Sequence, residues 1–150
     1  MKTYTLGFLF KDNKIILAKK KRKIGAGKWN GYGGRIEQGE SKFECLKREF
    51  AEESSVELKE QDCEELGYVD FVLDGFDLRV YMYHIHSFSG YPIETEEMGE
   101  PREFDLGKLP YDEMMVGDDK FIPLIIERKK FTGKMSFTDG EDKLVSCVIE

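Results

Sequence analysis

Between Gly34 and Val56 the chain reads GRIEQGESKFECLKREFAEESSV, and this stretch limits the fold more than any other. Ser41 precedes Glu44 in an S-x-x-E capping box, and Phe43, Leu46 and Phe50 recur at helical spacing. Together they predict a helix over about residues 42–54. Glu49, Glu52 and Glu53 then fall at i, i+3 and i+4, so their carboxylates share one face, about a quarter-turn from the apolar stripe. Like charges gathered in this way repel and need either solvent or a cation. For an isolated acidic pair a solvated surface is the usual explanation. Here the cluster follows a backbone-permissive Gly33-Gly34 turn and has Arg48 beside it, which favours a cleft where a hard divalent cation meets phosphate oxygens.

The remaining pattern alternates strands and helices. TYTLGFLF and KIILAKK, separated by KDN, read as a strand hairpin. KRKIGAGKWNGYGGR carries Gly25, Gly27, Gly31, Gly33 and Gly34 and reads as a loop that permits close backbone approach. ELGYVDFVL, DLRVYMYHIHSF and PREFDL read as further strands, and DDKFIPLIIERKKF as an amphipathic helix with an acidic start and a basic end. GKMSFTDGEDKLVSCVIE closes the chain as a hairpin with Asp139-Gly140 at its turn. Strands interrupted by two helices predict an α/β fold, a mixed sheet covered on its faces in an α/β/α sandwich. At 150 residues, one domain spanning 1–150 is expected. A chain of that length buries roughly two-thirds of its unfolded surface in a single core.

Charge and composition narrow the partners. Thirty acidic against 23 basic residues give a formal charge of -7, which argues against a surface for polymeric nucleic acid but allows a local basic pocket for a small phosphate ligand. The amino end, MKTYTLGFLFKDNKIIL, breaks at a charged turn and lacks the apolar run of a signal peptide or membrane span, so a cytoplasmic monomer away from membranes is expected. Cys45, Cys63 and Cys147 are odd in number and lack CxxC spacing, which favours free thiols.

The run Gly34, Glu40, then Arg48-Glu49-Phe50-Ala51-Glu52-Glu53-Ser54-Ser55-Val56 resembles the 23-residue signature of the Nudix hydrolases, with Ser55 where the family has glycine. The likeness continues through GAGKWNGYGGR, EMGEPREFDLGKLPYDEMM and FIPLIIERKKFTGKMSF, which are similar in order and spacing to the MutT-like oxidised purine nucleoside triphosphatases of the mammalian 8-oxo-dGTP diphosphatase type. The resemblance implies a Nudix-type fold and a Mg2+-dependent hydrolysis, with Mn2+ as an alternative ion. The products would be a nucleoside monophosphate and pyrophosphate, and the role would be sanitation of the nucleotide pool. It implies Glu49, Glu52 and Glu53 as metal ligands, with the Gly33 carbonyl and Glu97. Water activation falls to Glu53 or Glu52, while Arg48 orients a glutamate and Glu40 and Gly34 support the site. Other nucleoside diphosphate derivatives (ADP-ribose, nucleotide sugars, dinucleoside polyphosphates) are the alternative substrates, and a weakly catalytic nucleotide-binding module is the alternative class.

For the base, the resemblance points to Asn30, whose amide offers donor and acceptor, and to Asp118, which could equally cap the following helix. Thr5, Lys20, Phe71, Val80 and Met82 align with pocket positions. The chain departs from the pattern at Gly117, Met115 and Ile24, where the family has an acid, a stacking tryptophan and a phenylalanine. Asp119 would compensate for the lost acid by a shift of one residue. Three further features have ordinary readings: His84 and His86 as strand packing, Lys19 to Lys23 as a solvated loop edge in which Lys20 best suits a phosphate, and Cys45 as a thiol without a base.

Overall fold

The computed structural model describes residues 1–140 and 142–150. The first hairpin forms as the sequence predicts. Strand β1 (Lys2–Lys11) pairs antiparallel with β2 (Lys14–Lys19) up to Lys11 opposite Lys14. The turn is Asp12-Asn13 with φ of 51° and 61°, the mirror-image conformation that matches the twist of two antiparallel strands. The glycine-rich stretch differs from a plain loop. It contains β3 (Trp29–Asn30), paired with β2, and β4 (Tyr32–Arg35), paired antiparallel with the first half of β1. A Cβ on Gly33 would lie 2.7 Å from the Thr5 carbonyl carbon, so what the glycines approach so closely is the chain's own β1.

Helix α1 spans Lys42–Ser54 with Ser41 as N-cap and the reciprocal Ser41–Glu44 capping box in place. The long hairpin β5 (Cys63–Leu73) and β6 (Phe76–Ile85) follows, then β7 (Arg102–Asp105) on the free edge of β2. Helix α2 covers Asp118–Ile126. It stops before the basic residues expected at its end, because Arg128 turns left-handed (φ 57°) and the chain enters β8 (Phe131–Thr138). β9 (Lys143–Ile149) completes the closing hairpin around Asp139-Gly140.

The sheet is mixed. Its main path runs β3-β2-β1-β6-β5-β8-β9, with β1 parallel to β6 and β5 parallel to β8. Alternation along β1 and β2 divides the core between the two faces of the sheet. Leu9, Ile16 and Ala18 pack with Leu46 and Phe50 of α1, whereas Phe8, Ile15 and Leu17 pack with Phe121, Ile122 and Ile125 of α2. This is the sandwich expected from the sequence. Met82 belongs to the α2-side core and is fully buried there. No helix among the described residues is long and apolar enough to cross a membrane.

Candidate active site

The cleft, about 780 Å³ in volume, opens where β1, β4, β6 and the two helices meet. Its floor comes from Thr5 and Leu6 of β1 and from Gly33 and Gly34 of β4, and α1 presents Glu49 and Glu53 across that floor. Gly34 leaves the space that the Glu49 carboxylate occupies between α1 and β4. A Cβ there would lie 2.6 Å from both carboxylate oxygens of Glu49, so any larger residue would displace that carboxylate from this position. Glu53 Oε1 accepts the Gly33 N–H at 3.2 Å.

Arg48 organises the rim. It grips Glu40 with two bonds (Nε to Oε2 2.7 Å, Nη2 to Oε1 2.9 Å) and reaches Glu49 Oε1 with Nη1 at 2.6 Å. This bidentate contact holds the Glu40 carboxyl down to about 2. Arg48 thus holds two glutamates, Glu40 and Glu49, at once. Burial pushes Glu53 up to about 7; the Gly33 N–H opposes the rise and Glu49 adds to it. Burial also raises Glu49, against the pull of Arg48. Two carboxylates are thus held in the cleft with too little positive charge.

The three glutamates of α1 do not converge equally. Glu52 stands outside the cleft with 60% of its side chain exposed, 3.6 Å from Arg48 Nη1. Glu97 does line the cleft, but Arg22 pairs with it. Hence among the described residues no three His, Cys, Asp or Glu side chains form a ready metal cluster. Lys20, Arg22 and Lys23 bring positive charge to the same mouth, and burial lowers Lys20 against the pull of Glu53.

The far end of the cleft is apolar with a few polar groups. Phe71, Val80, Met115 and Asn30 line it, joined by Leu73, Leu78, Phe121 and Phe137, which no local pattern marked. Asn30 Oδ1 already accepts the Gly31 N–H at 2.8 Å. Asp118 also lines the cleft, 6% exposed, and its Oδ2 has no hydrogen-bond partner. Gly117 occupies the N-cap position of α2 and Asp118 is the first residue of the helix, so Asp118 is not its cap. Burial pushes this carboxyl up to about 7.

Asp119 does not replace the missing acid. It lies outside the cleft with its side chain 51% exposed and 3.7 Å from Lys120. Gly117 itself sits at φ 96°, where a side chain would be strained, and α2 begins one residue later. Ile24 is 45% exposed at the cleft mouth. Thr5 is buried with its hydroxyl 3.3 Å from the Cys45 sulfur, and burial pushes that thiol up to about 11. The two histidines part company: His84 is buried, stacked on Phe10 with Nδ1 2.9 Å from the Ile125 carbonyl. His86, beyond the end of β6, lies 3.6 Å from Asp62.

A mixed sheet between two helices, with a capped acidic helix lying over the glycines of β4, defines a class, and the comparison with known families agrees. The pattern of the NUDIX domain matches residues 2–125, and the chain belongs to the Nudix family and is a Nudix hydrolase. More narrowly, it is 34% identical over 148 residues to the oxidized purine nucleoside triphosphate hydrolase of Mus musculus, covering 95% of this chain and 90% of that protein. The Danio rerio protein of the same name is 33% identical over 146 residues, covering 96% and 91%. Among solved structures, a mutator MutT protein from Bacillus halodurans superposes with a TM-score of 0.83 at 20% identity, covering 100% of this chain and 98% of the other. A MutT NUDIX hydrolase from Burkholderia pseudomallei gives 0.71 at 25% identity, covering 85% and 96%.

Proposed function

We propose that this Nudix hydrolase acts on purine nucleoside triphosphates with oxidised bases, in a reaction dependent on Mg2+ or Mn2+, and releases a nucleoside monophosphate and pyrophosphate. The observation that carries the reading is the two-ended cleft: acidic at Glu49, Glu53 and Glu97, apolar with a buried unpartnered carboxyl oxygen at Asp118. Both relatives are named for oxidized purine nucleoside triphosphates, which supports the same substrate class here.

The donor set fits a hard divalent cation, since among the described residues the cleft offers carboxylates and the backbone of Gly33 and no imidazole or thiol. Glu49, Glu53, Glu97 and the Gly33 carbonyl would hold it, with Glu52 next to them at the rim. When bound, the ion supplies charge neutralisation of the triphosphate and a template for in-line attack. Lys20, Arg22 and Lys23 balance the remaining phosphate charge at the mouth. Water attacks phosphorus, the bond to the pyrophosphate oxygen breaks, and a carboxylate takes the water proton. Glu53 is better placed for that proton than Glu52, being inside the cleft. At the other end Asn30 and Asp118 meet the polar edge of the base, and Phe71 and Met115 pack on its ring.

The test compares kcat/KM for normal and oxidised purine triphosphates, ADP-ribose and dinucleoside polyphosphates, with Mg2+, with Mn2+ and in EDTA. A preference for the oxidised purines that weakens at least ~tenfold in Asp118→Asn is the expected result, since a buried polar site rejects a mismatched partner strongly. Equal rates across the panel would remove the base assignment, and turnover in EDTA would remove the metal.

A further inference from the structure

The last carbonyls of a helix have no partner within it and must be satisfied from outside. At the end of α1 the Phe50 carbonyl takes the Ser54 hydroxyl at 2.7 Å, and the Ala51 carbonyl takes the Ser55 N–H at 3.1 Å. Two further partners come from a downstream segment of the chain: the Ser54 carbonyl accepts from the Ile93 N–H at 3.0 Å, and the Glu53 carbonyl accepts from the Thr95 hydroxyl at 2.9 Å. The same hydroxyl oxygen faces the N–H groups of Glu97 and Met98, each at 3.3 Å, and the Thr95 N–H donates to the Met98 carbonyl at 2.9 Å. A hydroxyl has one hydrogen and two lone pairs, and here all three are engaged. One side touches the backbone of Glu53, and the other touches the backbone of Glu97.

Those two residues carry carboxylates into the same cleft. They repel each other, and Glu97 has an exposed competitor for its charge in Arg22. The turn at residues 95–98 is otherwise held by Lys21, whose N–H donates to the Glu97 carbonyl at 3.0 Å, and by the buried Met98 side chain. The Lys21 tie runs to the strand side of the cleft and Met98 sits in the core shared with Leu46 and Phe50, whereas among the described residues the Thr95 side chain alone bonds both the Glu53 carbonyl and the N–H of Glu97.

We propose that Thr95 is a positioning residue that sets the separation of Glu97 from Glu53 and so completes the metal site from a loop outside α1. The proposal rests on the reading that both glutamates bind a divalent cation. Ligand sets work only when held within about half an ångström of their geometry, and partners behind the ligands contribute roughly 10- to 100-fold in metal affinity.

The experiment titrates Mn2+ into the whole protein without nucleotide, read by electron paramagnetic resonance well below the unfolding temperature. Wild type, Thr95→Val, Thr95→Ser and Glu97→Gln are compared. Thr95→Val keeps the shape and loses the hydroxyl; it should bind Mn2+ about tenfold more weakly, while Thr95→Ser stays within about twofold of wild type. Should Thr95→Val fail to fold, Thr95→Ala is read in its place. A purely structural role would lower the melting temperature and leave the affinity of the folded protein untouched. Weak binding in Glu97→Gln with wild-type affinity in Thr95→Val overturns the positioning role alone. Wild-type affinity in Glu97→Gln overturns the metal reading of Glu97, and the role of Thr95 with it.

Discussion

Replacing Glu53 by Gln should make the metal-free protein more stable while abolishing turnover. The Glu53 carboxyl is largely buried, and burial, with Glu49 and Glu97 adding, raises it from 4.5 to about 7. Its pKa in the folded protein lies above that of the unfolded chain, so as the pH rises the unfolded chain releases the proton first. Below pH ~4.5 the group is protonated in both states and has no effect; stability falls between about 4.5 and 7, and above about 7 the full penalty persists. A displacement of that size corresponds to roughly 3 kcal/mol. Gln retains an oxygen to accept the Gly33 N–H and carries no charge. The variant should therefore gain about 1–3 kcal/mol at pH 8 and almost nothing at pH 4, or roughly 3–10 °C in melting temperature at pH 8. Urea and thermal unfolding of both proteins in EDTA at the two pH values give the difference, and turnover with Mg2+ is measured on the same samples. Equal stabilities at pH 8 would refute the claim that Glu53 is a buried, under-compensated charge. Wild-type turnover in the stabilised variant would remove it from the catalytic machinery.

Three other substitutions probe the same architecture. Arg48→Ala strands Glu40 and Glu49 without their partner and should cost about 2–4 kcal/mol in urea unfolding, and Arg48→Lys should recover little of this because it cannot grip Glu40 with two bonds. Gly34→Ala places a methyl against the Glu49 carboxylate and should cut turnover by at least ~tenfold; unchanged kinetics would mean that Glu49 has room to move. Ser55, in the left-handed conformation at φ 64° after α1, should be improved by glycine, with Ser55→Gly adding about 1 kcal/mol to stability in a melting experiment and leaving kcat unaltered.

The acidic helix was readable residue by residue because its determinants are local. The capping box, the apolar stripe and the i, i+3, i+4 carboxylates all act within four residues, and α1 has the expected bounds. The helix period did not show that Glu52 would turn outward to Arg48 or that Glu97 would pair with Arg22. Those outcomes depend on which cations the fold delivers. Likewise the glycine-rich segment announced close approach, but only the pairing of β4 with β1 identifies what is approached. Asp119 illustrates the same limit. One residue along a helix is a rotation of about 100°, so an acid next to the pocket position can point into solvent.

Short-range periodicity and an ordered signature were enough to establish the class of protein, the helix that bears Glu49 and Glu53, the first hairpin and the strands after the helix, but not β3 and β4 in the glycine-rich stretch. The tertiary structure decided what shares the cleft. Parallel pairing of β1 with β6 and of β5 with β8, the β2–β3 pairing and the packing of α2 on the sheet bring Thr5, Phe71, Asn30 and Asp118 together from four separate segments. Thr95 reaches Glu53 across 42 residues of chain. Contacts of that span leave no period in the sequence, because they arise only when the sheet register closes the loops between them.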